Sequence, residues 1–369
     1  MKKLARLLYG ATDGGAPYFS ADILWRTGFR VPDPLFLVEI TGKTFLFASP
    51  LEAGRAEKEA DVDHVVRITG NARAAITDFL KARGIRSVKV PGSFPYGVAK
   101  SMEKNFTVVI AEEPWYPERA IKTAAEIREI EKAQRATERA FSAAITFLRA
   151  CNIKRHGVYH GNRPATSEMV RAIIDHALWH DGYLAMGTIV ASGTQAADPH
   201  CIGRGVLSAR VPIVIDIFPA SLATHYYADM TRTVFKGKPA KDYVRMYEHV
   251  RKAQENAIKK IRPGADGRRI YNEVREYFSA EGYRTTIDGK RAEGFIHGLG
   301  HGVGIDIHEH PRLGSEAEIL EKGNVVTVEP GLYYPRVGGI RIEDMVLITA
   351  TGCKNLTRAP KSLATAIIP

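Results

Sequence analysis

The stretch FIHGLGHGVGIDIHEHP occupies residues 295–311 and is the most distinctive segment of the chain. It sets His297, His301 and His308 among four glycines. Glycine adopts backbone conformations closed to other residues and lets a ligand approach the main chain closely. A glycine-rich turn can also carry histidines that are ordinary, hydrogen-bonded core residues. The stretch therefore indicates a site only in combination with residues elsewhere in the sequence.

Four acidic residues in apolar, strand-like surroundings supply that combination. They are Asp216 in IVIDIF, Asp229 in YYADMTRT, Glu329 in VVTVEPG and Glu343 in GIRIEDMVLI. Burying an ionised carboxylate is costly unless it is paired or binds a cation. Each acid alone could instead face solvent or pair with an arginine, and Arg232 and Arg341 are available in the sequence. The four acids together with the histidine loop favour a binding site.

Strand geometry indicates how such acids could meet. Side chains alternate between the two faces of a strand, so an acid flanked by aliphatic residues points away from them. If the acid-bearing strands share one sheet, their carboxylates can converge on one face. Four carboxylates and one imidazole suit two divalent ions that share a bridging carboxylate. Two ions about 3.5–4 Å apart can hold a hydroxide and polarise a carbonyl, so the predicted chemistry is hydrolysis of an amide or related bond.

The composition is that of an ordinary globular protein. A length of 369 residues favours two domains, and 45% hydrophobic with 25% charged residues is typical. The net charge of +11 could indicate a nucleic-acid or membrane partner, but the basic residues form no compact block. No run approaches the roughly 20 apolar residues of a membrane helix. We therefore predict neither nucleic-acid binding nor membrane insertion.

The cysteines indicate the cellular compartment. Cys151, Cys201 and Cys353 lie far apart and form no C-x-x-C motif. This usage argues for a reducing environment and against a disulfide framework or a thiolate metal site. Arg6 interrupts the short apolar run near the start, which does not fit a signal peptide. We predict a cytoplasmic protein.

Residues 1–117 are predicted to form a small α/β domain with a connector. The runs at 35–40 and 44–49 are typical of a hairpin, and residues 71–84 have helical periodicity. Two prolines close together in EEPWYP, residues 112–117, indicate a connector. This part contains no catalytic constellation, so we interpret it as a packing or dimer-forming domain.

Residues 118–369 are predicted to form a single catalytic domain with an internal duplication. The order helix, helix, then strands occurs twice in this region. The first set comprises helices in 121–148 and 167–182, with Ser167 as the candidate N-cap of the second helix, and strand-like runs at 188–193, 211–218 and 224–235. The second set comprises a helix before Pro263, a helix after Asp266, and runs at 325–334 and 338–349. This repetition indicates an α/β (α+β) domain with pseudo-twofold symmetry.

The order of these motifs resembles the pita-bread metallopeptidases. The matching positions are Asp216, Asp229, GHG at 300–302, TVEPGLY at 327–333 and GGIRIED at 338–344. The family includes methionine aminopeptidase, aminopeptidase P, prolidase and the non-metal relative creatinase. The N-terminal extension and its connector are similar to the creatinase, aminopeptidase P and prolidase branch, because methionine aminopeptidases lack such an extension.

The resemblance implies a role for each matching residue. It implies that two divalent ions bind to Asp216, Asp229, His301, Glu329 and Glu343. His200, His297 and His308 match family histidines that contact the substrate or shuttle protons, and a neutral imidazole near a dication suits both tasks. Glu329 could also act as the acid/base that accepts a proton from the bridging water. Arg341 matches an arginine that orients the ligands.

One departure from the family pattern concerns the segment between the two aspartates. Asp216 and Asp229 are 13 positions apart (229 − 216), which is longer than in the family pattern. The family glycine two positions after the first aspartate is Phe218 here, followed by Pro219. We expect a longer or bulged hairpin whose tip changes access to the substrate pocket, with metal binding unaffected.

The resemblance implies an exopeptidase that hydrolyses the bond between an N-terminal residue and proline through a hydroxide bridging two metal ions. Mn²⁺ is the expected ion, with Co²⁺, Zn²⁺ or Fe²⁺ as alternatives. The expected partners are a peptide substrate and a second copy in a homodimer. Two alternatives stay open at this point, a creatinase-like amidinohydrolase and a non-catalytic peptide-binding module of the same fold. The sequence leaves open whether the enzyme is a dipeptidase or an aminopeptidase, and whether its natural substrate contains proline.

Overall fold

A computed structural model describes residues 4–289 and 292–369. The chain divides into two compact units, Met1–Arg119 and Ala120–Pro369. We call them the N-terminal unit and the catalytic unit. The limits inferred from the sequence, 1–117 and 118–369, remain our proposal for the two domains.

The N-terminal unit is a six-stranded mixed sheet with helices. Its strands are β1 (Leu4–Gly10), β2 (Leu35–Ile40), β3 (Lys43–Ala48), β4 (His64–Arg67), β5 (Ser87–Val90) and β6 (Thr107–Ile110), in the order β4-β3-β2-β1-β5-β6. Its helices are α1 (Ala21–Thr27), α2 (Ala53–Glu59), α3 (Ala72–Ala82) and α4 (Tyr96–Met102). The predicted hairpin is confirmed, because β2 and β3 pair antiparallel with Ile40 opposite Lys43.

Part of the predicted connector, residues 112–117, belongs to the hydrophobic core of the N-terminal unit. Trp115 and Tyr116 are buried with Leu8, Leu37 and other apolar residues on one side of this sheet. The Tyr116 hydroxyl donates a 2.6 Å hydrogen bond to Oε1 of Glu39. The two prolines were read correctly as a break in regular structure, but the aromatic residues between them anchor the segment to the N-terminal unit.

The catalytic unit contains the predicted long helices. They are α5 (Ala124–Ala150), α6 (Ser167–His180), α7 (Lys241–Ile258), α8 (Gly267–Ala280) and the short α9 (Leu363–Ala366). Thr123 begins α5 with a capping box, in which its hydroxyl accepts from the Glu126 N–H and the Glu126 carboxylate accepts from the Thr123 N–H. The prediction of Ser167 as an N-cap was wrong. Thr166 is the extended residue that accepts from the Met169 N–H, and Ser167 is the first helical residue.

The strands of the catalytic unit form two main sheets. Those before α7 are β7 (Asn152–Lys154), β8 (Gly157–His160), β9 (Arg163–Pro164), β10 (Tyr183–Leu184), β11 (Ile189–Ser192), β12 (Ile213–Ile217), β13 (Ala220–Ser221) and β14 (Met230–Lys236). Those after α8 are β15 (Thr286–Ile287), β16 (Ala292–Glu293), β17 (Gly300–Gly302), β18 (Glu309–Leu313), β19 (Val325–Val328), β20 (Gly331–Tyr334), β21 (Gly338–Arg341), β22 (Asp344–Ile348), β23 (Cys353–Asn355) and β24 (Ile367–Ile368). The sheets have the orders β11-β12-β14-β24 and β18-β17-β19-β22-β23.

The two halves of the catalytic unit repeat the same arrangement. In the first half, α5 and α6 share a buried core with β11, β12 and β14. In the second half, α7 and α8 share one with β19 and β22. The tripeptide Lys-Ala-Gln occurs on both α5 (132–134) and α7 (252–254), and both glutamines are fully buried. Helix, helix and sheet therefore occur twice, as the sequence predicted.

The acid-bearing segments lie in both sheets, not in one. β12 and β14 belong to the first sheet, and β19 and β22 to the second. The sheets are joined where the Glu343 N–H donates to the Thr231 carbonyl (3.0 Å) and the Thr233 hydroxyl to the Arg341 carbonyl (2.9 Å). The carboxylates thus converge where the two halves meet.

Within the described ranges, no helix combines the length and apolarity needed to cross a bilayer.

Candidate active site

A cleft of about 770 Å³ in the catalytic unit contains the predicted site. All eight residues singled out in the sequence line it: His200, Asp216, Asp229, His297, His301, His308, Glu329 and Glu343. They come from segments up to 143 positions apart (343 − 200). The fold therefore brings together what the sequence separates.

Strand ends position the acids. Asp216 lies within β12, whereas Asp229 immediately precedes β14. The expectation of a strand over 224–235 was wrong at its start, because His225 has a positive φ of 63° and the Ser221 N–H donates to the Tyr226 carbonyl in a turn. Glu329 follows β19, where Pro330 cannot donate to a strand ladder. Glu343 precedes β22.

His301 lies at the centre of the acidic cluster. Its Nε2 is 3.3 Å from Oε1 of Glu329 and 3.7 Å from Oδ2 of Asp229. Donor atoms of Asp229, His301 and Glu343 all lie within 4.8 Å of one another. A single ion could therefore contact groups from both halves of the unit.

The orientation of His301 fits a metal ligand. Its Nδ1 is 3.1 Å from the Gly302 carbonyl, which can only accept a hydrogen bond. In the neutral ring the proton therefore lies on Nδ1, and the lone pair of Nε2 points at carboxylate oxygens. Lone pairs facing one another repel, and a cation between them removes that repulsion. This geometry matches the usual arrangement of a metal-binding histidine, whose other nitrogen donates to a carbonyl.

Two buried carboxylate oxygens also fit cation binding. Oδ1 of Asp216 and Oε1 of Glu343 are buried and have no hydrogen-bond partner. A buried acceptor without a partner is costly, and hard dications prefer oxygen ligands. The donor set of four carboxylates and one imidazole therefore suits divalent metal ions.

Burial and mutual repulsion oppose ionisation of three acids. Loss of hydration raises the pKa of Asp216 despite its contact with Arg341. The pKa of Asp229 lies well above its ordinary value, because burial adds to repulsion from Glu343 and Asp216. Burial and the charges of Glu329 and Asp216 raise the pKa of Glu343 in the same way. A bound cation would reverse this balance.

Glu329 differs from the other three acids. Burial opposes its ionisation, yet when His301 carries a second proton, the hydrogen bond and charge of that ring, with the charge of Arg341, lower the pKa of Glu329 to about 2. The Thr327 hydroxyl donates to its Oε1 at 3.2 Å and accepts from the His301 N–H at 3.1 Å. Glu329 is thus held as a carboxylate whenever the histidine beside it is protonated.

Arg341 connects three groups beneath the cluster. It donates from Nη2 to Oδ2 of Asp216 (2.6 Å), from Nη1 to the Tyr333 hydroxyl (2.7 Å) and from Nε to the Thr231 hydroxyl (3.1 Å). The Thr231 hydroxyl in turn donates to Oε2 of Glu343 at 2.7 Å. The family resemblance implied an orienting role for Arg341, whereas roles for Tyr333 and Thr231 were not predicted. Their positions inside TVEPGLY and beside Arg232 were the available signals.

His297 uses both ring nitrogens within the protein. Nδ1 is 2.7 Å from the Gly298 carbonyl and Nε2 is 2.9 Å from the Tyr333 hydroxyl. Because the Tyr333 oxygen already accepts from Arg341, its proton is directed to Nε2 of His297. Burial lowers the pKa of His297, consistent with a neutral ring.

His308 and His200 are both exposed to solvent in the cleft. The His308 ring is perpendicular to that of His301, with centroids 4.3 Å apart. Loss of hydration and the neighbouring His301 lower the pKa of His308 to about 4. His200 is exposed at the edge of the cleft in a turn, where its N–H donates to Oδ1 of Asp198 at 3.0 Å.

The extra length between Asp216 and Asp229 forms a local structure of its own. β13 pairs with β10, with Ser221 opposite Tyr183, and the tip is the turn at 221–226 described above. Phe218 lines the cleft and packs over Gly187, whose missing Cβ would lie 3.5 Å from the ring. Phe218, which stands where the family pattern has a glycine, therefore places an aromatic ring in the wall of the cleft.

Comparisons with known proteins agree with this geometry. Residues 128–350 match metallopeptidase family M24. The chain is 32% identical over 332 residues to an Xaa-Pro dipeptidase of Pyrococcus horikoshii, covering 88% of this chain and 87% of the relative.

Solved structures are similar over nearly the whole chain. The prolidase of Pyrococcus horikoshii superposes with a TM-score of 0.80 at 28% identity, covering 98% of this chain and 95% of that one. An X-Pro aminopeptidase of Thermotoga maritima has a TM-score of 0.79 at 25% identity, covering 99% and 97%. The predicted α/β fold with a pita-bread catalytic domain is confirmed.

Proposed function

Because the chain belongs to metallopeptidase family M24, we propose that it is an exopeptidase that hydrolyses the bond between an N-terminal residue and proline. The family makes the chain a metal-dependent peptide hydrolase. The proline preference comes from similar proteins, which are named as Xaa-Pro dipeptidases, prolidases or aminopeptidases. The site described above supports the proposal through its oxygen-rich donor set.

We assign two divalent ions to the cluster, held by Asp216, Asp229, His301, Glu329 and Glu343. Mn²⁺ is our first choice because carboxylate-rich sites favour hard ions, and such sites also accept Co²⁺, Zn²⁺ or Fe²⁺. When bound, such ions supply Lewis acidity that polarises a carbonyl and lowers the pKa of water. This assignment rests on one observation: Nε2 of His301 faces carboxylate oxygens of both Asp229 and Glu329.

The side chains of the protein have separate tasks in this proposal. Glu329 takes a proton from the attacking water and returns it to the leaving amine. His308 and His200, at the open side of the cleft, contact the substrate carbonyl and the proline side. His297 is part of the same group, but its Nε2 reaches a substrate only after releasing the Tyr333 hydroxyl.

The test is a peptide panel on the purified protein. The chain is stripped with a chelator, reloaded with Mn²⁺ or Co²⁺, and offered Xaa-Pro, Xaa-Pro-Yaa and Xaa-Ala peptides. We expect cleavage only with metal and only before proline. E329Q should lower kcat by about 10²-fold or more, because general acid–base catalysis contributes about 10²–10⁴-fold. Metal binding without turnover of any Xaa-Pro peptide would remove the substrate assignment.

The same panel separates the open alternatives. Cleavage of Xaa-Pro alone makes the protein a dipeptidase, and cleavage of Xaa-Pro-Yaa makes it an aminopeptidase. Turnover of creatine without metal would support the creatinase-like alternative, and peptide binding without turnover the binding module. The complete donor set argues against both. The homodimer and the cytoplasmic location remain predictions from the sequence, to be checked by light scattering and cell fractionation.

A further inference from the structure

A buried ion pair joins the start of the catalytic unit to the histidine loop. Nζ of Lys122 lies 2.5 Å from Oε1 of Glu309, and the two side chains are only 2% and 10% exposed. The partners are 187 positions apart in the sequence. Lys122 directly precedes Thr123, the N-cap of α5, and Glu309 directly follows His308.

The backbone around Lys122 is hydrogen-bonded to a neighbouring segment. Its backbone N–H donates to the Gly323 carbonyl at 2.9 Å. Nδ2 of Asn324 donates to the Ala120 carbonyl, also at 2.9 Å. The segment carrying Lys122 is therefore bonded to the turn before β19, which leads to Glu329. These two bonds position the backbone from which the Lys122 side chain reaches Glu309.

The glutamate is held equally closely on the other side. Glu309 is the first residue of β18 and pairs with Gly302 of β17. A Cβ on Gly304 would overlap the Glu309 carboxylate, so a glycine is needed for that carboxylate to reach its place. Residues 303–308 form the loop between these strands, and His308 at its end packs against His301.

We propose that Lys122 is a positioning residue, whose buried ion pair with Glu309 fixes the loop that presents His308 to the cleft. The proposal rests on the proposed function only through the role of His308 in the reaction. A displacement of about 1 Å in a catalytic group can cost about 100-fold in rate. Pairing also explains why a lysine is tolerated in a buried position, since an unpaired buried charge is strongly destabilising.

The test uses three variants of the full-length, metal-loaded protein: K122M, E309Q and K122M/E309Q. Methionine keeps the unbranched stem of lysine, and glutamine keeps the shape of glutamate. We expect both single variants to lose stability and to show kcat about 10- to 100-fold lower, with KM changed less than about threefold. In the double variant neither member of the pair is left charged opposite a neutral partner, so it should be more stable than either single variant while kcat stays low. Recovery of kcat together with stability would overturn the proposal.

Lys354→Met provides the matched control. It removes an exposed lysine–glutamate pair of the same unit, between Lys354 and Glu131, so it should change stability little and leave kcat within about twofold. Amide hydrogen exchange provides a readout independent of turnover. K122M and the double variant should exchange faster than wild type across 303–313, and K354M should not. If hydrogen exchange in K122M is unchanged, the positioning role of Lys122 is refuted, whether or not any Xaa-Pro peptide is cleaved. If the wild-type protein is inactive but the variants show the expected exchange pattern, only the proposed function is refuted.

Discussion

The hydroxyl group of Thr231 connects metal-ligand candidates from both halves of the catalytic unit. It donates to Oε2 of Glu343 and accepts from Nε of Arg341, which itself holds Asp216. All four side chains are buried. Removing one neutral group would therefore disturb two carboxylates at once.

We predict that Thr231→Val weakens binding of Mn²⁺ by about 10- to 100-fold, the usual cost of losing a residue that orients metal ligands. Valine has nearly the shape of threonine, so the fold should persist. Titration calorimetry on the chelator-stripped protein measures the affinity. Thr233→Val is the control, because its hydroxyl bonds to the backbone of Arg341 and, among the described residues, to no carboxylate. Equal losses of affinity in both variants would contradict a specific role for Thr231.

At the scale of elements, β17 is closely packed against the backbone on both sides. It carries His301 between Gly300 and Gly302 and pairs with both β18 and β19. A Cβ on Gly300 would overlap the Thr327 carbonyl oxygen, and one on Gly302 the His310 carbonyl oxygen. Glycine is needed here because neighbouring backbones approach closely, not because of a positive φ.

Gly300→Ala should therefore destabilise the catalytic unit by about 1–3 kcal/mol or more, since the obstructing atom is backbone and cannot rotate away. Gly352→Ala is the matched substitution at a turn where a Cβ meets nothing within 4 Å. Urea unfolding of both variants gives the comparison. A Gly300→Ala protein as stable as Gly352→Ala would show that β17 has more room than its contacts indicate.

A second element-scale feature is the buried ion pair between β14 and β22. Nη2 of Arg232 donates to Oδ1 of Asp344 at 2.7 Å, and the side chains are 2% and 1% exposed. The same guanidinium donates to the Glu343 carbonyl at 2.6 Å. It thus fixes the backbone of a metal-ligand candidate from the neighbouring sheet.

Arg232→Met leaves Lys361 as the cation paired with Asp344, so it should cost about 3 kcal/mol of stability, the lower end of the loss for broken buried pairs. Arg251→Met, which breaks surface pairs with Glu248 and Glu255, should cost less than about 1 kcal/mol. Chemical denaturation at neutral pH measures both. Similar costs for the two variants would mean that the buried pair contributes no more than an exposed one.

These pairs mark the limit of what the sequence could predict. Local pattern was sufficient for the hairpin around Gly42 and for helix starts such as Asp266, because a turn or a cap depends on adjacent residues. It was also sufficient to single out Asp216, whose neighbours are aliphatic. It failed at 224–229, where the β-prone residues Tyr226 and Tyr227 form a turn and loop that bonds to Gly304. The local sequence gives no indication of ion pairs whose partners are 112 or 187 positions apart, such as Arg232–Asp344 and Lys122–Glu309.

At the scale of the whole molecule, each unit has its own hydrophobic core. The cleft with the eight candidate residues lies in the catalytic unit alone. The N-terminal unit contributes none of these residues. Metal binding should therefore be coupled to the folding of one unit and not directly to that of the other.

We predict that Mn²⁺ stabilises the catalytic unit selectively. An ion at about 100 times its dissociation constant adds about 2.7 kcal/mol to the free energy of unfolding of the part that binds it. Hydrogen exchange with and without metal should show slower exchange in β12, β14, β17, β19 and β22, and unchanged exchange in β1–β6. Because Asp229→Asn and Glu343→Gln remove ligand charge, they should abolish the protection while keeping the fold. Equal protection of β1–β6 would mean that the two units unfold as one, and protection of neither would place the metal outside the cluster around His301.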